Sequence, residues 1–137
     1  MTPTTRRMVP RDRAAALAAL GDARALDQPN QHIYTDGLAF VTVDLARTVP
    51  YMGAIAGNVS SRSTFYALAL AACDAALAAG HKTGTFDIFD RALLRTIKRD
   101  FRISPTATAT LTGTNAAWEV TVDLADARQQ LLAWLRQ

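Results

Sequence analysis

An alanine-rich, almost wholly apolar stretch from Arg62 to Ala79 constrains the fold of this chain more than any other feature. Ser61 or Ser63 can cap the start of a helix here, and Gly80 suits the left-handed position just beyond its end. Because apolar side chains cover nearly every side of this helix, it is expected to be stable only inside a core, where its alanines allow close approach. The sequence therefore predicts a buried central helix.

Two β-hairpins are predicted from alternating polar and apolar residues. The first spans residues 32–45 and turns at Asp36-Gly37, a dipeptide that tolerates positive φ angles. The second runs through a threonine-alanine alternation from Thr106 and returns to Leu124, turning near Gly113. A chain of 137 residues is the size of one domain. We therefore expect a single compact α+β domain over residues 11–137.

The remaining segments are assigned by their breakers and periodicity. A helix is expected over residues 11–26, and a terminal helix over residues 126–137. Another helix begins at Thr85 or Asp87 and continues to about residue 102, since Pro105 prevents its extension. Residues 46–60 are left open between a brief helix and a packed loop. Residues 1–10 have two prolines and no periodicity, which predicts a flexible basic arm.

An internal repeat leaves two interpretations open. The sequence of residues 41–46, Val-Thr-Val-Asp-Leu-Ala, recurs at residues 120–125, and in each half a predicted helix precedes the hairpin. An ancient duplication would account for this and would predict a pseudo-twofold core. Convergence accounts for it equally well, because alternating valine and threonine suit any half-buried strand.

The net charge is only +3, but basic residues cluster on one predicted helix. At about 100° per residue, five of them share one side of the segment 86–102, while Phe86, Phe89, Leu93 and Ile97 face the other way. We call these five the basic stripe: Arg91, Arg95, Lys98, Arg99 and Arg102. Arginine forks and a summed positive potential suit phosphate contacts, to which Arg6 and Arg7 of the arm could add.

These features predict nucleic-acid binding. A buried helix, a basic helix and a hairpin in this order are compatible with a winged helix-turn-helix in the C-terminal half, with the basic helix in the DNA major groove. The sequence thus favours a DNA-binding regulatory or accessory factor that is not an enzyme. The segment from Gly80 to Thr85 is longer than the usual helix-turn-helix turn, which weighs against this arrangement.

Two other classes of function stay open. The basic stripe could be an ordinary solvated face paired with acids of its own helix. The protein would then be a non-enzymatic, homo-oligomeric interaction module, for which a homodimer is expected. A third alternative is an enzyme that uses His32 or His81 with an aspartate.

Several chemistries are disfavoured by composition. Cys73 is the only cysteine, so a disulfide within the chain or a multi-thiolate metal site is excluded. No glycine-rich phosphate loop is visible, and no metal or cofactor is predicted. No segment has the roughly 20 apolar residues needed to span a bilayer, and no secretory signal is recognised. We therefore expect a cytoplasmic protein without a membrane partner.

Overall fold

The computed structural model describes residues 4–21, 26–29, 31–57, 59, 61–88, 91–103, 106–111 and 115–137. The helices are α1 (Arg13–Leu20), α2 (Arg62–Ala78), α3 (Arg91–Asp100) and α4 (Leu124–Leu135). The strands are β1 (Arg6–Arg7), β2 (Gln31–Thr35), β3 (Ala39–Asp44), β4 (Tyr51–Gly57), β5 (Thr83–Ile88), β6 (Thr106–Leu111) and β7 (Asn115–Asp123).

The strands form one mixed sheet in the order β1-β2-β3-β4-β5-β7-β6. Neighbouring strands are antiparallel except for β4 and β5, which are parallel and are joined by α2. Because two adjacent parallel strands cannot be joined by a short hairpin, helix α2 forms the crossover connection between β4 and β5. The expected single α+β domain is confirmed.

The two faces of the sheet carry different layers. On β3, Val41 and Val43 point to the core that contains α2, α3 and α4, whereas Phe40 points to the opposite side and packs near Ala16 of α1. This follows from the alternation of side chains along a strand. We call these sides the α2 face and the α1 face.

The central helix is confirmed. Ser61 accepts a hydrogen bond from the Thr64 amide at 3.2 Å, which caps the first turn, and Leu68 is fully buried against the sheet. Among the described residues, no helix is long and apolar enough to cross a membrane.

Both hairpins are also confirmed as antiparallel pairs. In the first, Asp36 accepts hydrogen bonds from the amides of Leu38 and Ala39, and Gly37 takes a φ of 105°. In the second, β6 pairs with β7, while its turn at residues 112–114 lies outside the described residues.

Three expectations are corrected. Residues 51–57, within the segment left open, form β4. Thr83–Ile88 is a strand rather than the start of a helix, because it pairs with both β7 and β4. The winged helix is wrong for the same reason: α3 follows a central strand, and the β6–β7 hairpin extends the same sheet instead of flanking a helix pair.

The part of the N-terminal arm that the structure describes includes the short strand β1. Arg6 and Arg7 pair with β2 at the sheet edge. Arg6 also donates two hydrogen bonds to Asp12, at 2.6 and 2.9 Å. This pairing, with the hydrogen bond from the Val9 amide, holds the pKa of Asp12 well below its usual range. Arg6 is therefore a structural residue at this edge.

Replacing Leu68 by Ala should lower the free energy of unfolding by about 2–5 kcal/mol, because a buried leucine leaves a cavity in a core that cannot fully collapse. Urea denaturation measures the loss. Leu38→Ala is the matched control at an exposed position and should change stability by less than about 0.5 kcal/mol. Equal losses for the two variants would contradict a central α2.

Candidate functional site

The sheet is interrupted between its two parallel strands. Among the described residues, β4 and β5 pair only at Tyr51 and Thr85, next to a hydrogen bond from the Thr85 amide to the Pro50 carbonyl at 3.0 Å. Beyond this point the strands separate. Their facing edges therefore present backbone N–H and C=O groups that do not pair across the gap, and such groups need other partners.

A β-bulge in β4 explains the separation. Val41 pairs with Ile55 and Val43 pairs with Met52, so that two residues of β4 stand opposite Thr42 alone. An extra residue bends a strand and increases its twist, which here directs β4 away from β5. One of the two bulged residues is Gly53, where a Cβ atom would overlap the Thr42 hydroxyl. Glycine is thus required for the close approach of β3 at the bulge.

A cavity of about 860 Å³ occupies the gap. Its lining comes from both faces of the sheet: Met52 and Ile88 lie on the α2 face, and Tyr51 and Asp87 lie on the α1 face. The cavity therefore passes between the separated strands. On the α2 face its walls are mostly apolar side chains of α2, α3 and α4, including Phe65, Ala69, Cys73, Leu93, Ile97, Ala127 and Leu131.

Tyr51 and Asp87 connect the two strands across the cavity. The Tyr51 hydroxyl donates a hydrogen bond to Asp87 Oδ2 at 3.0 Å. Burial and this hydrogen bond raise the pKa of Tyr51 to about 12, so the hydroxyl keeps its proton at neutral pH. The guanidinium of Arg47 lies 5.2 Å from the centre of the Tyr51 ring and is paired with Asp44. The site thus offers a carboxylate and a neutral phenol side by side.

One end of the cavity is held by a network around Asp100. Its carboxylate accepts hydrogen bonds from the Tyr66 hydroxyl at 2.6 Å and from Arg62 at 3.2 Å, while Arg99 lies at 3.5 Å. Burial pushes the pKa of Asp100 upward, but these three partners together hold it below its ordinary value. The rings of Tyr66 and Trp134 pack edge to face, with their centres 4.7 Å apart. The network therefore ties α2, α3 and α4 together.

Helix α4 forms the remaining wall. Asp123 caps it by accepting a hydrogen bond from the Asp126 amide at 2.9 Å. Gln130 accepts a hydrogen bond from the Arg102 amide at 2.8 Å, and Arg128 pairs with Asp74 of α2 at 2.7 Å. These contacts fix the helix over the cavity.

The wall also contains Cys73, whose chemistry is inert. Burial, with the nearby Asp74, raises the pKa of this thiol to about 12. A protonated thiol is a poor nucleophile, so a catalytic role for Cys73 is disfavoured.

The predicted binding residues are not all brought together. In the basic stripe, Lys98 and Arg102 line the cavity. The guanidinium carbon of Arg91 lies 5.8 Å from the centre of the Trp118 ring. Arg95 is exposed and does not line the cavity. Arg99 lies beside Asp100. Arg6 and Arg7 are on β1, at the far edge of the sheet from the C-terminal half. The arm and the stripe therefore do not form one surface.

The histidines proposed for an enzyme do not line the cavity. His32 lies in β2, where burial and then Arg7 lower its pKa, and His81 follows α2. Among the described residues, no group of three or more side chains could hold a metal ion. Sequence reasoning missed Tyr51 and Asp87, because neither strand had been recognised.

Comparisons with known proteins define the class of the fold. The Escherichia coli ribosomal-protein-S18-alanine N-acetyltransferase aligns with a TM-score of 0.67 at 15% identity, over 88% of this chain and 93% of that one. Nourseothricin acetyltransferase aligns with a TM-score of 0.66 at 16% identity, over 90% of this chain and 99% of that one. A Bacillus subtilis acetyltransferase in complex with CoA aligns with a TM-score of 0.63 at 12% identity, over 87% of this chain and 97% of that one.

At this identity the likeness shows the fold alone. The chain has the fold of the GCN5-related N-acetyltransferases, or GNAT proteins. No family model matches the sequence, and a search of curated proteins finds no match.

The functional expectations from sequence are corrected accordingly. The prediction of a DNA-binding regulatory factor that is not an enzyme is wrong, because the matched structures are consistently acetyltransferases. The prediction that DNA is a partner is wrong for the same reason. The assignment of the basic stripe, Arg6 and Arg7 as nucleic-acid contacts depended on that function. A homodimer stays a prediction.

Gly53→Ala should destabilise the protein by about 1–3 kcal/mol, because the new methyl group overlaps the hydroxyl of the buried Thr42. In a double-mutant cycle, adding Thr42→Ala should recover part of the loss, with a favourable coupling above about 0.5 kcal/mol. Chemical denaturation of the four proteins measures it. If the stability losses of Gly53→Ala and Thr42→Ala simply add in the double variant, the close contact between these two residues would be contradicted.

Proposed function

We propose that this chain is an acyltransferase that moves an acyl group from an acyl-CoA thioester to an amine. The observation that carries the proposal is the cavity between the separated strands β4 and β5. It occurs in a fold whose matched structures are acetyltransferases, one of them in complex with CoA and another with acetyl-CoA.

The cavity fits the acyl-pantetheine arm of acyl-CoA. Its volume is in the range of small-molecule sites, and its walls on the α2 face are mostly apolar. The arm contains amide groups in an extended chain, which can use the unpaired strand edges of β4 and β5 as an added strand would. The residues expected to hold it are Met52, Gly53 and Ile55 of β4, with Ile88 of β5.

Two cations of the basic stripe suit the diphosphate of CoA. Lys98 and Arg102 line the cavity, and both side chains reach solvent, although Arg102 also lies 3.7 Å from the Asp126 carboxylate. Charged donors of this kind bind phosphate oxygens strongly. The connection from β4 to α2 has the sequence Asn58-Val59-Ser60-Ser61, without the glycines of a phosphate-binding loop. We therefore assign diphosphate binding mainly to the side chains of Lys98 and Arg102.

The chemistry at the other side of the gap is assigned to Asp87 and Tyr51. Bound acyl-CoA supplies an activated carbonyl carbon: the amine nitrogen forms a C–N bond to it as the C–S bond breaks. The CoA thiolate that leaves takes up a proton, so the products are an amide and free CoA. We assign to Asp87 the task of a general base, which accepts a proton from the attacking amine. Tyr51 orients that carboxylate through its hydrogen bond and remains a proton donor at neutral pH.

Lys98→Ala and Arg102→Ala should each raise the Kd for CoA, by roughly tenfold, since each removes about 1.4 kcal/mol or more of charge-assisted binding. Isothermal titration calorimetry measures the affinity. Arg95→Ala is the matched control, because Arg95 belongs to the same helix and stripe but does not line the cavity. If all three variants bind CoA like the parent protein, the assigned CoA site is wrong.

Asp87→Asn should lower kcat for acetyl transfer by about 100-fold or more, the contribution typical of a general base. The Kd for acetyl-CoA should stay unchanged, because Asp87 lies on the α1 face. The released CoA is quantified by chromatography. Asp27→Asn, which alters an exposed carboxylate paired with Arg13, is the control and should retain the parent rate. Full activity of Asp87→Asn would remove this residue from the reaction.

A further inference from the structure

We propose that Glu119 is a specificity-determining residue that selects acceptor amines carrying a second positive charge a few bonds from the reacting nitrogen. The inference rests on the proposed acyl transfer. It concerns the α1 face of the gap, where Asp87 lies.

Glu119 is the cross-strand neighbour of Asp87. In the antiparallel pair β5–β7, these two residues are directly opposite each other. Residues in such positions point to the same face, with Cβ atoms about 4.5–5.5 Å apart. Two carboxylates so placed disfavour each other unless a cation lies between or beside them. A ligand with one ammonium group at Asp87 and another at Glu119 satisfies both.

The α1 face of β5 and β7 is polar and accessible. Thr83, Thr121, Glu119 and Asp123 of this face are exposed, and Asp87 is half-buried. The intervening residues point to the α2 face, where Ile88 and Val120 are fully buried. Helix α1 packs on β3 and β4. An acceptor can therefore reach the gap along the surface of β5 and β7.

Charges are distributed unequally across the sheet. On the α2 face, the CoA side, Lys98 and Arg102 supply positive charge, and Arg102 lies 3.7 Å from Asp126. On the α1 face, Asp87 and Glu119 supply negative charge beside the gap. A cationic acceptor is thus attracted to the side opposite the proposed diphosphate site.

The two sides of the gap on the α1 face also differ. Arg47 lies over Tyr51 on the β4 side and is paired with Asp44, whereas Glu119 lies on the β7 side. An acceptor with an anionic group would be directed to Arg47, and one with a second ammonium group would be directed to Glu119. The position of Glu119 next to Asp87 favours the second class.

Three amines of equal chain length test this selection: 1,3-diaminopropane, propylamine and 3-aminopropanoate. With acetyl-CoA saturating, kcat/KM should be highest for the diamine, by about fivefold over propylamine, as expected for one partly solvated ion pair. Glu119→Gln should abolish this ratio while leaving the rate with propylamine unchanged. Asp27→Asn, which alters an exposed carboxylate that does not line the cavity, should preserve the ratio and serves as the control.

The outcomes separate the two proposals. Turnover with an unchanged diamine ratio in Glu119→Gln, or a preference for propylamine or 3-aminopropanoate, would overturn the role of Glu119 and leave acyl transfer intact. Amine binding is also measured without acetyl-CoA, by chemical-shift changes of Glu119 and its neighbours on titration with the diamine. Shifts there that Glu119→Gln removes support the site even if no acyl transfer is found, and their absence rejects it.

Discussion

The close contact between β3 and β4 at Gly53 is the constraint on which the rest of the site depends. Two residues of β4 stand opposite Thr42, and a side chain at position 53 would overlap the Thr42 hydroxyl. The resulting bulge bends β4 after its first residue has paired with β5. Without this bend, two parallel strands in the middle of a sheet would continue to pair, and the cavity between them would be closed.

The opened sheet gives the molecule two chemically different sides at one gap. The α2 face has apolar walls from three helices and cations near the cavity. The α1 face has a carboxylate bonded to a phenol, with a second carboxylate across the strand pair. The proposed acyl transfer needs two substrates to meet while their binding determinants stay apart. A cavity that passes through a sheet meets this need, because each substrate can approach from its own side.

The helices over the cavity are held by a small number of strong contacts. Asp100 joins Tyr66 and Arg62 of α2, and Tyr66 also packs against Trp134 of α4. Gln130 and Arg128 add hydrogen bonds from α4 to its neighbours. These contacts let α4 cover apolar surface without filling the cavity. The side chains of Asp100 and Tyr66 thus serve the architecture of the site, although their chemistry resembles that of Asp87 and Tyr51.

The sequence by itself determined the elements whose signals are local. The capped, apolar helix α2 and the turn at Asp36-Gly37 depend on residues within one segment, so their patterns predicted them correctly. The site was not predictable in this way. Phe86 matched a helical period as well as a strand, and only the pairing of its segment with β7 and β4, distant in sequence, decided between them. The same long-range pairing placed Tyr51 beside Asp87, 36 residues away, and put two cations of the basic stripe at a cavity. Periodicity records which side of an element is apolar, whereas tertiary structure alone decides what the other side meets.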